Sequence, residues 1–149
     1  ILAFPKDRSL IRLKFKSDDQ RNRKGFMASI SQLSNSCDYN MLTSSRQEIR
    51  PTLNTSLMGN NCSFTIDDYY GSIMSPQFPS SYPPNQRCTY AIHRVASHVC
   101  RIELSLRSFE IDYNNFRIKN QCTRDYLELP DRTKICGFRP LKVALNRSV

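Results

Sequence analysis

The chain has 149 residues, 39% of them hydrophobic, with 8 Phe, 7 Tyr and no Trp, and 22 Lys+Arg against 13 Asp+Glu give a formal charge of +9. That is enough apolar material for one domain or two small ones, which excludes global disorder. No stretch approaches the ~18 consecutive apolar residues of a membrane helix, and Ile1-Leu2-Ala3-Phe4-Pro5-Lys6 has neither a starting Met nor the apolar core of a signal peptide, so a piece of a longer protein without direct membrane insertion is expected.

In chain order, Ile11, Leu13 and Phe15 alternate with Arg12, Lys14 and Lys16, the period of a strand with one buried face. The polar run 17–25 supplies a turn, and Phe26, Ala28 and Ile30 resume the alternation, which predicts a hairpin with a long charged loop. Residues 35–61 are rich in Ser, Asn, Thr and Arg, with Pro51 and Gly59 as punctuation, and read as a linker. The prolines at 76, 79, 83 and 84 forbid continuous helix and suit edge strands and turns. Strands follow at Cys88–Ile92 and Val99–Arg107, the second placing Cys100, Ile102, Leu104 and Leu106 on one face, and a short one at Tyr126–Leu129. No segment carries a 3.6-residue period, so the class is all-β, an antiparallel β-sandwich.

Cys37, Cys62, Cys88, Cys100, Cys122 and Cys136 are widely spaced, with no Cys-x-x-Cys pair and no cluster with a histidine, which favours an oxidised, secreted chain over a zinc site. Sequons at Asn54, Asn61 and Asn146 fit the same extracellular compartment. Positive charge is concentrated early: residues 1–34 carry 8 basic and 3 acidic side chains. Arg12, Lys14, Lys16, Arg21, Arg23 and Lys24 form a candidate basic surface for sulfated glycans or other anionic partners. A solvated strand face has the same pattern. Catalysis is not expected. His93 and His98 are the only histidines, and there is no nucleophile elbow, phosphate-cradling loop or His-Glu-x-x-His. The pairs Asp18-Asp19 and Asp67-Asp68 are turn residues.

Cys62, then Gly71-Ser-Ile-Met-Ser-Pro-Gln-Phe-Pro-Ser-Ser-Tyr-Pro83, Cys88-Thr-Tyr-Ala-Ile92, Leu106-Arg-Ser-Phe-Glu-Ile111, Cys122-Thr-Arg-Asp-Tyr-Leu-Glu-Leu129 and Cys136-Gly137 together resemble a CUB domain. The resemblance implies a jelly-roll sandwich, incomplete here, because the family's late strands are missing after Val149. Leu13-Lys-Phe-Lys-Ser-Asp18 and Gly25-Phe26 look like those late strands at the other end of the chain. The expected division is therefore residues 1–34 as the C-terminal strands of a preceding CUB domain, 35–61 as linker and 62–149 as a truncated CUB domain. A single permuted sandwich is the alternative.

The resemblance also implies disulfides Cys62–Cys88 and Cys122–Cys136, leaving Cys37 and Cys100 to pair or to leave a buried thiol at Cys100. Many CUB modules bind calcium, and the family's ligand positions fall on Asp112, Asp125 and Asp18, with Asp112 standing where the family usually has Glu. A hard cation wants ~6–8 oxygen ligands with charge from carboxylates. Such a site offers acidic oxygens to a Lys or Arg of an extracellular protein ligand, with Tyr69 or Tyr70 lining the contact. The reading is a non-catalytic extracellular recognition module, with calcium as its cofactor and no nucleic-acid partner; heparin-like binding by the basic surface, or a spacer role in a larger ectodomain, are the alternatives.

Overall fold

The computed structural model describes residues 2–3, 9–20, 22–34, 54–58, 61–112 and 122–138, and among them there is no helix. The strands are β1 (Leu2–Ala3), β2 (Leu10–Lys16), β3 (Gly25–Ser34), β4 (Asn54–Met58), β5 (Asn61–Ile66), β6 (Tyr70–Met74), β7 (Arg87–His93), β8 (Val99–Ile111), β9 (Tyr126–Glu128), β10 (Lys134–Ile135) and β11 (Gly137–Phe138). One sheet runs β1-β8-β3-β6, with β11 also on β8; the other runs β10-β9-β2-β7-β5-β4. Every pairing is antiparallel except β5 with β7. In that parallel pair Cys62 faces Cys88, and the two are joined as a disulfide.

The alternation in β2 buries Ile11, Leu13 and Phe15 and turns Arg12 and Lys14 outward. Phe26 from one sheet meets Phe15 and Tyr90 from the other, at 5.6 and 5.7 Å between ring centroids, and packs beside Phe109 of its own sheet at 6.4 Å. This aromatic layer is the centre of the sandwich, and its tilted and edge-on geometries are those that ring quadrupoles favour.

Two local expectations are corrected. β2 and β3 do not form a hairpin: β2 pairs with β7 and β9, β3 with β6 and β8, so the polar run between them arches from one sheet to the other. Both strands have an apolar face, and the arch lets those faces oppose each other across the core instead of lying side by side. In β8, the register with β3 skips Cys100 and Arg107, as at a β-bulge. The first skip leaves Cys100 half-buried with Val99 in the core; the second switches the inward set from Ile102, Leu104 and Leu106 to Phe109 and Ile111.

β2 and β3 thus sit between strands drawn from residues 61–138. Gln32 ties the same pieces together: its side-chain amide donates to the carbonyls of Asp68 and His93 and its oxygen accepts from the Val95 N–H, at 3.0, 2.7 and 3.2 Å. At the other end of β3, Gly25 has φ +88°, and a Cβ there would collide with Ser75 Oγ and lie 2.8 Å from Ser75 Cβ and 3.2 Å from Tyr82. Since that backbone region penalises L side chains and Ser75 Oγ accepts the Phe26 N–H, Gly25→Ala is expected to lower stability by roughly 2 kcal/mol, read as a shift in the urea midpoint.

Candidate functional site

Asp125 lies in the bend that leads from Cys122 into β9, and the Cys122–Cys136 disulfide anchors that bend. Only 1% exposed, its carboxylate is held on both oxygens. Oδ1 accepts the backbone N–H of Asp18 at 2.7 Å, and Oδ2 accepts the hydroxyl of Tyr82 at 2.6 Å. Tyr82 is itself 1% exposed and meets Phe15 edge-on at 5.1 Å. Its own N–H donates to the Arg23 carbonyl, and its hydroxyl is approached by the backbone N–H groups of Asp112 and Arg23.

Three aspartates predicted from the sequence, Asp18, Asp112 and Asp125, are electrostatically coupled here. Burial pushes the Asp125 carboxyl above the usual carboxylate range, and the charges of Asp18 and Asp112 push the same way; the Tyr82 and Asp18 hydrogen bonds oppose them. Burial, then Asp125, raises the Tyr82 hydroxyl far above the usual phenol range, so it stays a donor. Asp18 is half-buried and closes a local turn by accepting the Gln20 N–H at 2.8 Å. Asp112 ends β8 at φ +41°, a left-handed conformation that aspartate tolerates better than most residues.

Among the described residues, no three His, Cys, Asp and Glu side chains stand as a formed metal cluster. The chemistry of the donor set nevertheless suits a hard cation, since it offers carboxylate oxygens from three segments of the chain. Tyr82 was missed by reasoning from sequence. The one signal for Tyr82 is its place as a large aromatic in a run of Ser and Pro.

Tyr69 and Tyr70 do not join this site. Lys16, two residues before Asp18, pairs with Arg87, whereas Ile66, three before Tyr69, pairs with Ile92, so the two groups leave opposite ends of the sheet, roughly 20 Å apart. There the Tyr69 hydroxyl and His98 Nε2 are 3.1 Å apart. Of the basic residues, Arg12, Lys14 and Lys16 project from the outer face of β2; Arg23 and Lys24 lie in the arch, Lys24 5.9 Å over the Phe78 ring, and Arg21 lies outside the described residues. Asn61 is exposed on β5, Asn54 lies in β4, and Asn146 is outside the described residues. Cys100 is disulfide-bonded, while Cys37 falls outside the described residues.

Residues 62–139 match the CUB domain family. The chain belongs to the CUB family. It is 35% identical over 72 residues to mouse "Tolloid-like protein 2", covering 48% of this chain and 6% of that protein. It is 29% identical over 140 residues to Drosophila melanogaster "Dorsal-ventral patterning protein tolloid", covering 84% of the chain and 12% of the relative, and 28% identical over 133 residues to human "Cubilin", covering 84% and 3%. The chain therefore spans only a small part of each relative. No solved structure matches it. The CUB domain is a non-catalytic module, found in proteins that are extracellular or carry membrane-anchored ectodomains, and no described helix here is long and apolar enough to cross a membrane.

Because the folded state raises the Asp125 pKa above its ordinary value of 3.8, the native chain binds more protons than the unfolded one between that value and the raised one. The stability this group contributes is fully present below pH 3.8 and is lost as pH rises through the folded pKa. In chelator, wild type should accordingly lose stability relative to Asp125→Asn as pH climbs from about 3.5 to 7, as followed by urea unfolding of both proteins. A pH-independent difference would contradict the assignment.

Proposed function

We propose that this chain is an extracellular recognition module whose carboxylate-bearing end binds calcium through Asp18, Asp112 and Asp125 and presents acidic oxygens to a basic side chain of a protein partner. The supporting observation is the convergence of the three carboxylates: the Asp18 N–H donates to Asp125, and the charges of Asp18 and Asp112 add to the burial that raises the Asp125 pKa. Bound calcium supplies the positive charge that makes three adjacent carboxylates favourable in their ionised forms. Tyr82 holds one oxygen of Asp125 in place, and the Asp18 N–H fixes the other and brings the arch onto the bend before β9. Asp112, half-buried at the end of β8, and Asp18 are the carboxylates left to meet solvent and partner.

The site takes Asp18 from before the expected linker and Asp112 and Asp125 from after it. We propose, in consequence, that residues 10–34 and 62–138 work as one unit, whether they originate as the tail of one module and the body of the next or as one permuted sandwich. The interior position of β2, flanked by β7 and β9, supports this.

A ligand that binds only the folded state raises stability by RT ln(1 + [L]/Kd). Millimolar calcium should therefore raise the Tm of the oxidised chain above its value in chelator, and Asp112→Asn and Asp18→Asn should each reduce the shift. Calorimetric titration with calcium alone checks the same point without relying on unfolding. A folded chain with no shift and no heat of binding would refute the calcium site.

A further inference from the structure

The outer face of the six-stranded sheet carries a charge distribution that neither the core nor the aspartate cluster explains. Its described strands point Arg12, Lys14 and Lys16 of β2, Arg87 of β7 and Lys134 of β10 outward, against a single carboxylate, Glu128 of β9. The outer face of the opposite sheet balances Arg101 and Arg107 with Glu103 and Glu110, all on β8. The excess positive charge is thus confined to one side of the sandwich.

Within that face, Lys16 stands directly opposite Arg87. Like charges directly opposite on antiparallel strands destabilise the sheet, so this pairing is a cost to it. Glu128 lies 4.0 Å from Lys14, in a pair whose lysine is 62% exposed, while its cross-strand neighbour Lys134 reaches over the Tyr126 ring. An exposed pair of that kind contributes little, and the face keeps most of its field.

We propose that this face binds a linear sulfated glycan of the heparin type, laid across β10, β9, β2 and β7. Strand geometry fixes the cations about 7 Å apart along β2 and about 5 Å apart between strands, a planar array suited to a chain of closely spaced sulfates. Apart from half-buried Leu10 and Tyr126, the other outward residues around them are small or polar, including Ser63, Thr65, Thr89 and Ala91, and the exposed large hydrophobics Tyr69, Tyr70 and Phe138 lie off this sheet. A folded protein partner would need an exposed aromatic or aliphatic anchor, and the described part of this face offers only half-buried Leu10 and Tyr126. Tyr126, its one aromatic, has Lys134 Nζ 4.3 Å and Lys16 Nζ 5.9 Å from its ring centroid, so no open ring is left for a nucleic-acid base to stack on. The sequon at Asn61, exposed on β5 and paired with Arg87, places any N-glycan at the border of this array.

The test is binding of a heparin-derived decasaccharide to the oxidised chain at several salt concentrations, in calcium and in chelator. Arg12→Gln/Lys16→Gln/Arg87→Gln should weaken binding by at least about tenfold and lower the slope of log K against log salt by about two to three, as counterion release requires. Arg101→Gln/Arg107→Gln, on the opposite sheet, should change affinity by less than about threefold, and chelator should leave it unchanged. Unfolding midpoints verify both variants, and Arg12→Gln and Arg87→Gln alone give the same reading should the triple variant not fold. Equal losses per charge removed in the face and control variants, equal binding of desulfated heparin or of a charge-matched oligonucleotide, or retention by the face variant would each overturn the proposal. Because the calcium site is read out by chelator and this face by salt, either can fail without the other.

Discussion

Burying the Asp125 carboxylate is the constraint on which the rest of this architecture turns. An ionised carboxylate taken out of water is unfavourable by several kcal/mol unless its oxygens find donors. Here the donors come from far apart in the chain: Asp18 is 107 residues away and Tyr82 is 43. The polar contact therefore works as a long-range staple, closing the end of the sandwich where the arch, the proline-rich turn and the bend before β9 meet. Tyr82 couples it to the core, since the ring that carries the donating hydroxyl packs on Phe15 and the hydroxyl holds Asp125. A shift of either segment would leave a charge buried with too few partners, so register at this end is set by electrostatics as much as by packing.

Most of the core was legible from alternation, because period two is a local property. Ile11, Leu13 and Phe15, Phe26, Ala28 and Ile30, and Ile102, Leu104 and Leu106 are all buried, as their spacing requires. Which strand neighbours which is not local, and there the reading failed. A charged turn between two amphipathic strands suits a hairpin and an inter-sheet arch equally, and only the demand that Phe15 and Phe26 face one another decides between them. The bulges in β8 were hidden for a related reason: their effect is a slip relative to β3, which a single strand's sequence does not contain. Asp125, Asp112 and Asp18 were reached through family resemblance, whereas Gln32, Tyr82 and Arg87 acquire their roles only from partners distant in the chain.

Similarity to known proteins and the geometry divide the chain differently. The CUB match begins at residue 62, yet the Drosophila relative aligns over 84% of the chain, more than residues 62–149 supply. Sequence kinship therefore extends in the same order into the part that contributes β2 and β3. Those strands carry Leu13, Phe15, Phe26 and Ile30, each at 1% exposure or less, so the core of the matched segment is closed by residues outside it. A sandwich lacking β2 would present the edges of β7 and β9 as unpaired donors and acceptors, a surface that sheets do not leave open without cost.

β2 concentrates these demands in seven residues. Its inward positions supply Leu13 and Phe15 to the aromatic layer, its outward positions supply Arg12, Lys14 and Lys16 to the cationic face, and the chain leaving it supplies the Asp18 N–H to Asp125. Period two allows the first two roles to coexist, because successive side chains never compete for one side of the sheet. The third follows from length: one residue more or fewer before Ser17 would exchange the inward and outward sets and also move Asp18 off the carboxylate. Core, charged face and aspartate cluster are hence not separable features of this module but consequences of one register, that of β2 between β7 and β9.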